Sequence, residues 1–217
     1  MRLSKMEFIA LIVALFVGLH FYNQYKLEKE GFDDTSTTPL YIPGDKPPVI
    51  VAFGDSLTAG SGVPKDLSYP SQLSEMLGFE VINTGVANER TSDAVRRFPS
   101  VLNRYKPDII IIAEGYDDLL TGRKRSKIRE NLKKMVETAK KGGAKVIVIG
   151  MPDIDLIDLM ITSDIGLYEE VAQEEGVEYI PNVFGPVLKN KNMVHYPDAA
   201  GYKKVAEKIY HYLQERL

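Results

Sequence analysis

The sequence predicts an α/β protein: a three-layer α/β/α sandwich on a roughly five-stranded parallel sheet, with an apolar segment in front of it. Short apolar runs of strand length alternate with longer stretches whose apolar residues recur every 3.6 positions. That alternation implies right-handed crossovers between parallel strands. The short runs are β-branched and nearly continuous, as strands covered on both faces require. An uncharged stretch near the amino end sets the appendage apart from the domain.

With 217 residues, 44% of them hydrophobic, and a formal net charge of −3, the chain has room for one ordinary globular domain plus that appendage. The charge balance and the lack of a long basic stripe argue against a nucleic-acid partner, and Arg123-Lys124-Arg125 reads as a solvated loop and helix start. The chain has no cysteine. A thiol nucleophile, a thiolate metal site, a disulfide and a lipidated N-terminal cysteine are therefore excluded.

Residues 1–23 form the appendage. Arg2 and Lys5 precede residues 8–22, which carry no charge. A membrane span needs about 17–25 residues and a signal-peptide core about 7–15, so length leaves both readings open. Between Gly18 and Glu30 no pair of small residues is spaced for cleavage, which favours an uncleaved anchor helix over a removed signal peptide. Either way the positive-inside bias puts the rest of the chain outside the cytoplasm. A helix of the globular core is the poorer reading, because the stretch is apolar on every face. Residues 24–47, rich in Lys, Glu, Asp, Thr, Gly and Pro, read as a linker. The domain then covers residues 48–217.

Within the domain, residues 49–53 make the first strand, which stops at Gly54. A short helix over 69–77 follows, then a second strand over 80–86. The stripe Val95, Phe98, Val101, Leu102 and Tyr105 predicts a helix over 92–105, and the four isoleucines within residues 108–113 a central strand. Ile128, Leu132, Met135, Val136 and Ala139 share one face of a helix over 126–141 that Gly142-Gly143 ends. A fourth strand is expected over 145–150, a helix over 166–175, a fifth strand over 178–180 and a closing amphipathic helix over 199–217. Asp153, Asp155 and Asp158 lie in a stretch that reads as a surface loop; without a supporting His or Cys they do not make a metal site.

With strand order 2-1-3-4-5, the first strand lies at the switch point, where the loops after strands one, two and three meet. Ser56, in Gly54-Asp55-Ser56, stands there at the start of a helix whose free N–H groups favour negative charge. Helix capping by Asp55 or Ser56 is the plainer account of the tripeptide. His195, just ahead of the closing helix, is a candidate base at the same rim; His211, inside that helix, reads as a surface or packing residue.

From about residue 49 to 206 the chain resembles the SGNH (GDSL-type) hydrolases, in particular their thioesterase I, lysophospholipase and arylesterase branch. Gly54-Asp55-Ser56-Leu57-Thr58-Ala59-Gly60 matches the nucleophile block, and Tyr202 follows Ala199-Ala200-Gly201 as the last block leads one to expect. The resemblance implies that Ser56 is the nucleophile and His195 the base, oriented by Asn192. It implies an oxyanion hole from Ser56, Asn88 and Asp117, with Asp55, Gly115 and Tyr116 on the substrate side, and no metal or cofactor.

Three positions depart from the family pattern. Asn88 replaces a glycine, and Asn tolerates the left-handed backbone. Asp117 replaces the side-chain donor of the oxyanion hole; ionised, it cannot donate and repels the developing charge, and only a protonated Asp117 could substitute. Asn192 replaces the aspartate that steadies the imidazolium. One residue more than usual separates His195 from Gly201. The expected substrate is a small or lipid-like ester, a thioester or an O-acylated glycan. The rival reading is a catalytically weakened domain that binds an acylated lipid or glycan or serves as an envelope scaffold. A flavodoxin-like nucleotide or flavin binder would share the architecture but leave Ser56 and His195 unexplained.

Overall fold

The computed structural model describes residues 46–154, 164–188 and 196–216. They fall within one compact unit bounded by Pro39 and Leu217. The expected N-terminal anchor, most of the linker, Asp155, Asp158, Asn192 and His195 lie outside the described residues. Among the described residues no helix is long and apolar enough to cross a membrane.

Five strands form one parallel sheet: β1 (Ile50–Gly54), β2 (Val81–Asn83), β3 (Ile109–Ala113), β4 (Lys145–Ile149) and β5 (Glu178–Ile180). Their order is β2-β1-β3-β4-β5, as expected. In register, Ile50 faces Val81 on one side and Ile109 on the other. Every residue of β1 and β3 is buried, which explains why both read as unbroken apolar runs.

Right-handed crossovers sort the helices between the two faces. The step from β1 to β2 runs one way along the sheet and carries α2 (Tyr69–Leu77). The steps from β2 to β5 run the other way and carry α3 (Thr91–Tyr105), α5 (Arg125–Lys141) and α6 (Leu167–Glu175) on the opposite face. α3 packs on α5 and α5 on α6, while the closing helix α7 (Ala199–Gln214) packs on α2. This is the expected three-layer sandwich. The α5 stripe Ile128, Leu132, Met135, Val136 and Ala139 is the buried set foreseen from its period.

Two differences lie at the carboxyl edge of the sheet. β2 ends at Asn83, short of the expected 80–86, because the Asn83 side chain accepts the Gly85 N–H (2.9 Å) and donates to the Thr58 carbonyl (2.9 Å). Thr84 and Val86 still donate to β1, to Ala52 O (2.9 Å) and Gly54 O (3.0 Å). Two helices of about one turn stand there: α1 (Ser56–Ala59) after β1, whose start at Ser56 was expected though its length was not, and α4 (Tyr116–Leu120) after β3, which was not foreseen. Both carry candidate site residues.

Candidate active site

Gly54 sets the site's position. A side chain there would put its Cβ 2.1 Å from Ala113 O and 2.2 Å from Thr58 Oγ1, so only glycine lets the ends of β1 and β3 close together. Arg97 crosses behind this junction, its guanidinium 4.1 Å from the Phe53 ring centroid, donating to Gly54 O (3.3 Å) and paired with Glu89 (2.6 Å).

Asp55 caps α1, its Oδ1 accepting the Leu57 N–H (3.2 Å). Its Oδ2 accepts the N–H groups of Gly115 (2.9 Å) and Asp117 (3.2 Å), so one carboxyl fastens the β1 loop to the β3 loop. The side chain is fully buried. The sequence placed Asp55 on the substrate side; instead it faces inward and holds the loops. Burial, and then the neighbouring Asp117 carboxyl, push its pKa up to about 8.

Ser56 opens α1 and is buried, not exposed on the rim. Its Oγ accepts the Asn88 N–H at 2.8 Å and the Tyr196 hydroxyl at 3.5 Å. Asn88 holds a left-handed backbone, φ 61, which aims that N–H at the serine. The Ser56 N–H donates to Asp117 Oδ2 at 3.1 Å. Asp117 therefore accepts a hydrogen bond beside the nucleophile, where the donor role expected of it would require it to give one. Burial raises its pKa, partly offset by bonds from the Ser56 hydroxyl and N–H.

Gly115 and Tyr116 also turn out to be structural. Gly115 has φ +110 and spends its N–H on Asp55, and a Cβ there would lie 2.5 Å from the Tyr168 hydroxyl. Tyr116 is only 2% exposed and meets Tyr196 edge to face, centroids 6.3 Å apart. Asp118 accepts from Thr91 N (2.7 Å) and Thr91 Oγ1 (3.2 Å), tying α4 to the start of α3. Beneath them Glu114 is fully buried, and neither carboxyl oxygen has a hydrogen-bond partner among the described residues. Burial first, then Asp55 and Glu89, hold its pKa well above the usual carboxylate range.

Of the residues singled out in the sequence, Ser56, Asn88 and Asp117 meet in the fold, while Asn192 and His195 lie outside the described residues. Sequence reasoning did not single out Tyr196, whose place beside His195 carries no signal in the sequence alone. No cluster able to hold a metal ion occurs among the described residues. A cleft lined by Lys140, Lys145, Gly176 and Glu178 lies at the amino ends of β4 and β5, remote from this chemistry.

A buried serine at a helix start, its Oγ accepting one backbone N–H from Asn88, is placed as a nucleophile of acyl transfer would be. Residues 52–204 match the sequence model of the GDSL-like Lipase/Acylhydrolase family. Among curated proteins, the Arylesterase of Vibrio mimicus is 33% identical over 105 residues, 46% of this chain and 52% of that protein. An "Uncharacterized lipoprotein YqeF" of Bacillus subtilis (strain 168) is 33% identical over 113 residues, 46% of each chain. The chain thus aligns with about half the length of these relatives. Among solved structures, the crystal structure of TesA superposes with a TM-score of 0.66 at 20% identity, covering 78% of this chain and 99% of that one; the likeness is one of fold.

Proposed function

The chain belongs to the GDSL-like lipase/acylhydrolase family, and from that premise we propose that it is a serine ester hydrolase working through an acyl-enzyme. One observation carries the proposal: Ser56 Oγ, at the start of α1, accepts the Asn88 N–H at 2.8 Å. That N–H lies where charge develops when the serine attacks an acyl carbonyl.

In the reaction Ser56 Oγ bonds to the acyl carbon, its proton passes to the His195 imidazole, and the carbonyl π pair moves onto oxygen. The N–H groups of Asn88 and Ser56 receive that oxyanion. On collapse the bond to the leaving group breaks and the imidazolium returns its proton to the departing oxygen or sulfur. Water, deprotonated by His195, then attacks the acyl-serine, the acyl–Oγ bond breaks, the imidazolium returns its proton to Ser56 Oγ, and the acid leaves. The roles of His195 and of Asn192, its orienting partner, rest on the family resemblance. The sequence uses no metal or cofactor. The substrate is a small or lipid-like ester, a thioester or an O-acylated glycan. Arg2 and Lys5 ahead of residues 8–22, together with a lipoprotein among the relatives, support an anchored extracytoplasmic domain.

A second reading, a weakened domain that binds acylated lipid or glycan, is favoured by the Ser56 N–H being directed at the Asp117 carboxyl. Losing one oxyanion donor lowers the rate by about 10²–10³, and an Asp-to-Asn change beside a catalytic histidine by about 10⁴. The test is hydrolysis of a short-chain p-nitrophenyl ester and a thioester by the full chain in mild detergent, alongside Ser56→Ala. Turnover abolished by the substitution supports the hydrolase; equal rates from two folded proteins give the binding reading the lead.

A further inference from the structure

We infer that the Tyr196 hydroxyl is the side-chain donor of the oxyanion hole, the task that an ionised Asp117 cannot perform. The inference rests on the acyl-transfer reading above. Two donors converge on Ser56 Oγ: the Asn88 N–H at 2.8 Å and the Tyr196 hydroxyl at 3.5 Å. When Oγ commits its lone pair to the acyl carbon it becomes a poor acceptor, while the carbonyl oxygen, about one C–O bond farther on, gains the charge. Groups that donate to Oγ in the free protein are therefore within reach of the oxyanion, and strengthening there accelerates the step.

Asp117 is placed differently. Its Oδ2 accepts the Ser56 N–H, and its own N–H is spent on Asp55. Once ionised, that carboxyl has no proton to give. A tyrosine hydroxyl is neutral, rotates freely about its C–O bond and can donate without bringing charge to the site. The ring of Tyr196 is held edge to face against Tyr116, itself packed in the core. Two residues on, Asp198 caps α7 by accepting the Gly201 N–H (2.9 Å), and Tyr202 donates to Ser61 O (3.0 Å), binding α7 to the loop after α1. Tyr196, two residues before the cap, is thereby held beside the nucleophile. A separation of 3.5 Å is long for O–H···O, and catalytic hydrogen bonds of ligand-free enzymes commonly tighten once substrate is bound.

The test compares the full chain with Tyr196→Phe, Ser56→Ala and the double variant Tyr196→Phe with Asp117→Asn. Tyr196→Phe removes one oxygen and keeps the ring contact. Its kcat should fall about 10²–10³-fold with KM changed no more than about threefold, and Asp117→Asn should recover at least about tenfold by supplying an amide donor. A purely structural role would not be rescued in this way. Labelling by a fluorophosphonate, whose P=O oxygen takes the oxyanion's place, should slow in parallel and requires no turnover. If Ser56 turns over ester or is labelled, yet Tyr196→Phe stays within about threefold of the parent or its loss resists Asp117→Asn, this inference alone is overturned. If Ser56→Ala behaves like the parent in both assays, the hydrolase reading falls and this one with it.

Discussion

At Asp117 one carboxyl does two things that a carboxamide would do differently. It accepts the Ser56 N–H at 3.1 Å, and it sits close enough to Asp55 to help raise that residue's pKa. Asp117→Asn keeps the acceptor oxygen, adds two N–H donors and removes the repulsion that a carboxylate exerts on an oxyanion. Ser56-dependent kcat should therefore rise, by no more than about tenfold while Tyr196 is present and by more in the Tyr196→Phe background. Steady-state kinetics on one ester decides; a fall in kcat would mean that Asp117 handles the proton. Ser56, Asn88 and Asp117 were legible because the motifs lie at strand ends in a known topological order. Tyr196 was not, since a tyrosine beside a histidine carries no signal until the loop is folded over the serine. Asp55 was misplaced for a similar reason. A carboxyl next to a nucleophile suggests contact with substrate, yet in the fold its oxygens are already taken by Leu57, Gly115 and Asp117.

Among the elements, periodicity was informative wherever a helix was long enough to display a face. The stripes of α5 and α7 emerged as foreseen, and α2 and β5 match their expected bounds. α1 and α4 span 4 and 5 residues, too few to repeat any pattern, so periodicity marked neither, and only its capping residues announced the start of α1. The segment after β2 shows what holds them in place. A Cβ at Gly85 would lie 2.2 Å from Ala59 N and 2.5 Å from Thr58 C, both backbone atoms of α1 that cannot rotate away. Gly85→Ala must push α1 off the segment that leads to Asn88. It should destabilise the domain by about 1–3 kcal/mol, the usual cost of overpacking, and should lower kcat by displacing the Asn88 N–H. Gly166→Ala is the control. Its φ of −55 suits any residue, and its Cβ would meet only Glu170 Oε1 at 3.7 Å, so its urea midpoint should stay level or rise. Equal midpoints for the two variants would show that the close approach is not binding.

Across the whole molecule, the carboxyls of Asp55, Glu114, Asp117 and Asp118 crowd the carboxyl ends of β1 and β3, and burial is the first cause of the upward shift in each. The sign of the resulting pH dependence follows from linkage. In the unfolded chain these groups lose their protons near pH 4. In the fold they keep them to higher pH, so between the two values the folded state binds more protons and stability falls as pH rises. For Asp55 that window runs from about 4 to about 8. The exposed Glu130 and the half-buried Glu175 shift downward beside lysines; a lowered carboxylate acts below about pH 4, outside that window, and solvent screens the Glu130 pairs besides. Glu114 gives the cleanest test, because neither of its oxygens has a partner among the described residues to be lost on substitution. Glu114→Gln keeps the shape and cannot ionise, so the decline in the urea midpoint between pH 5 and pH 9 should become shallower. Glu114→Met also removes an unpaired buried polar group and should raise the midpoint throughout, most at pH 9. If both variants follow the parent's pH profile, Glu114 is not protonated in the fold, and the tilt must come from Asp55 and its neighbours. Asp117→Asn would then be the variant that flattens it, by removing the second cause of the Asp55 shift.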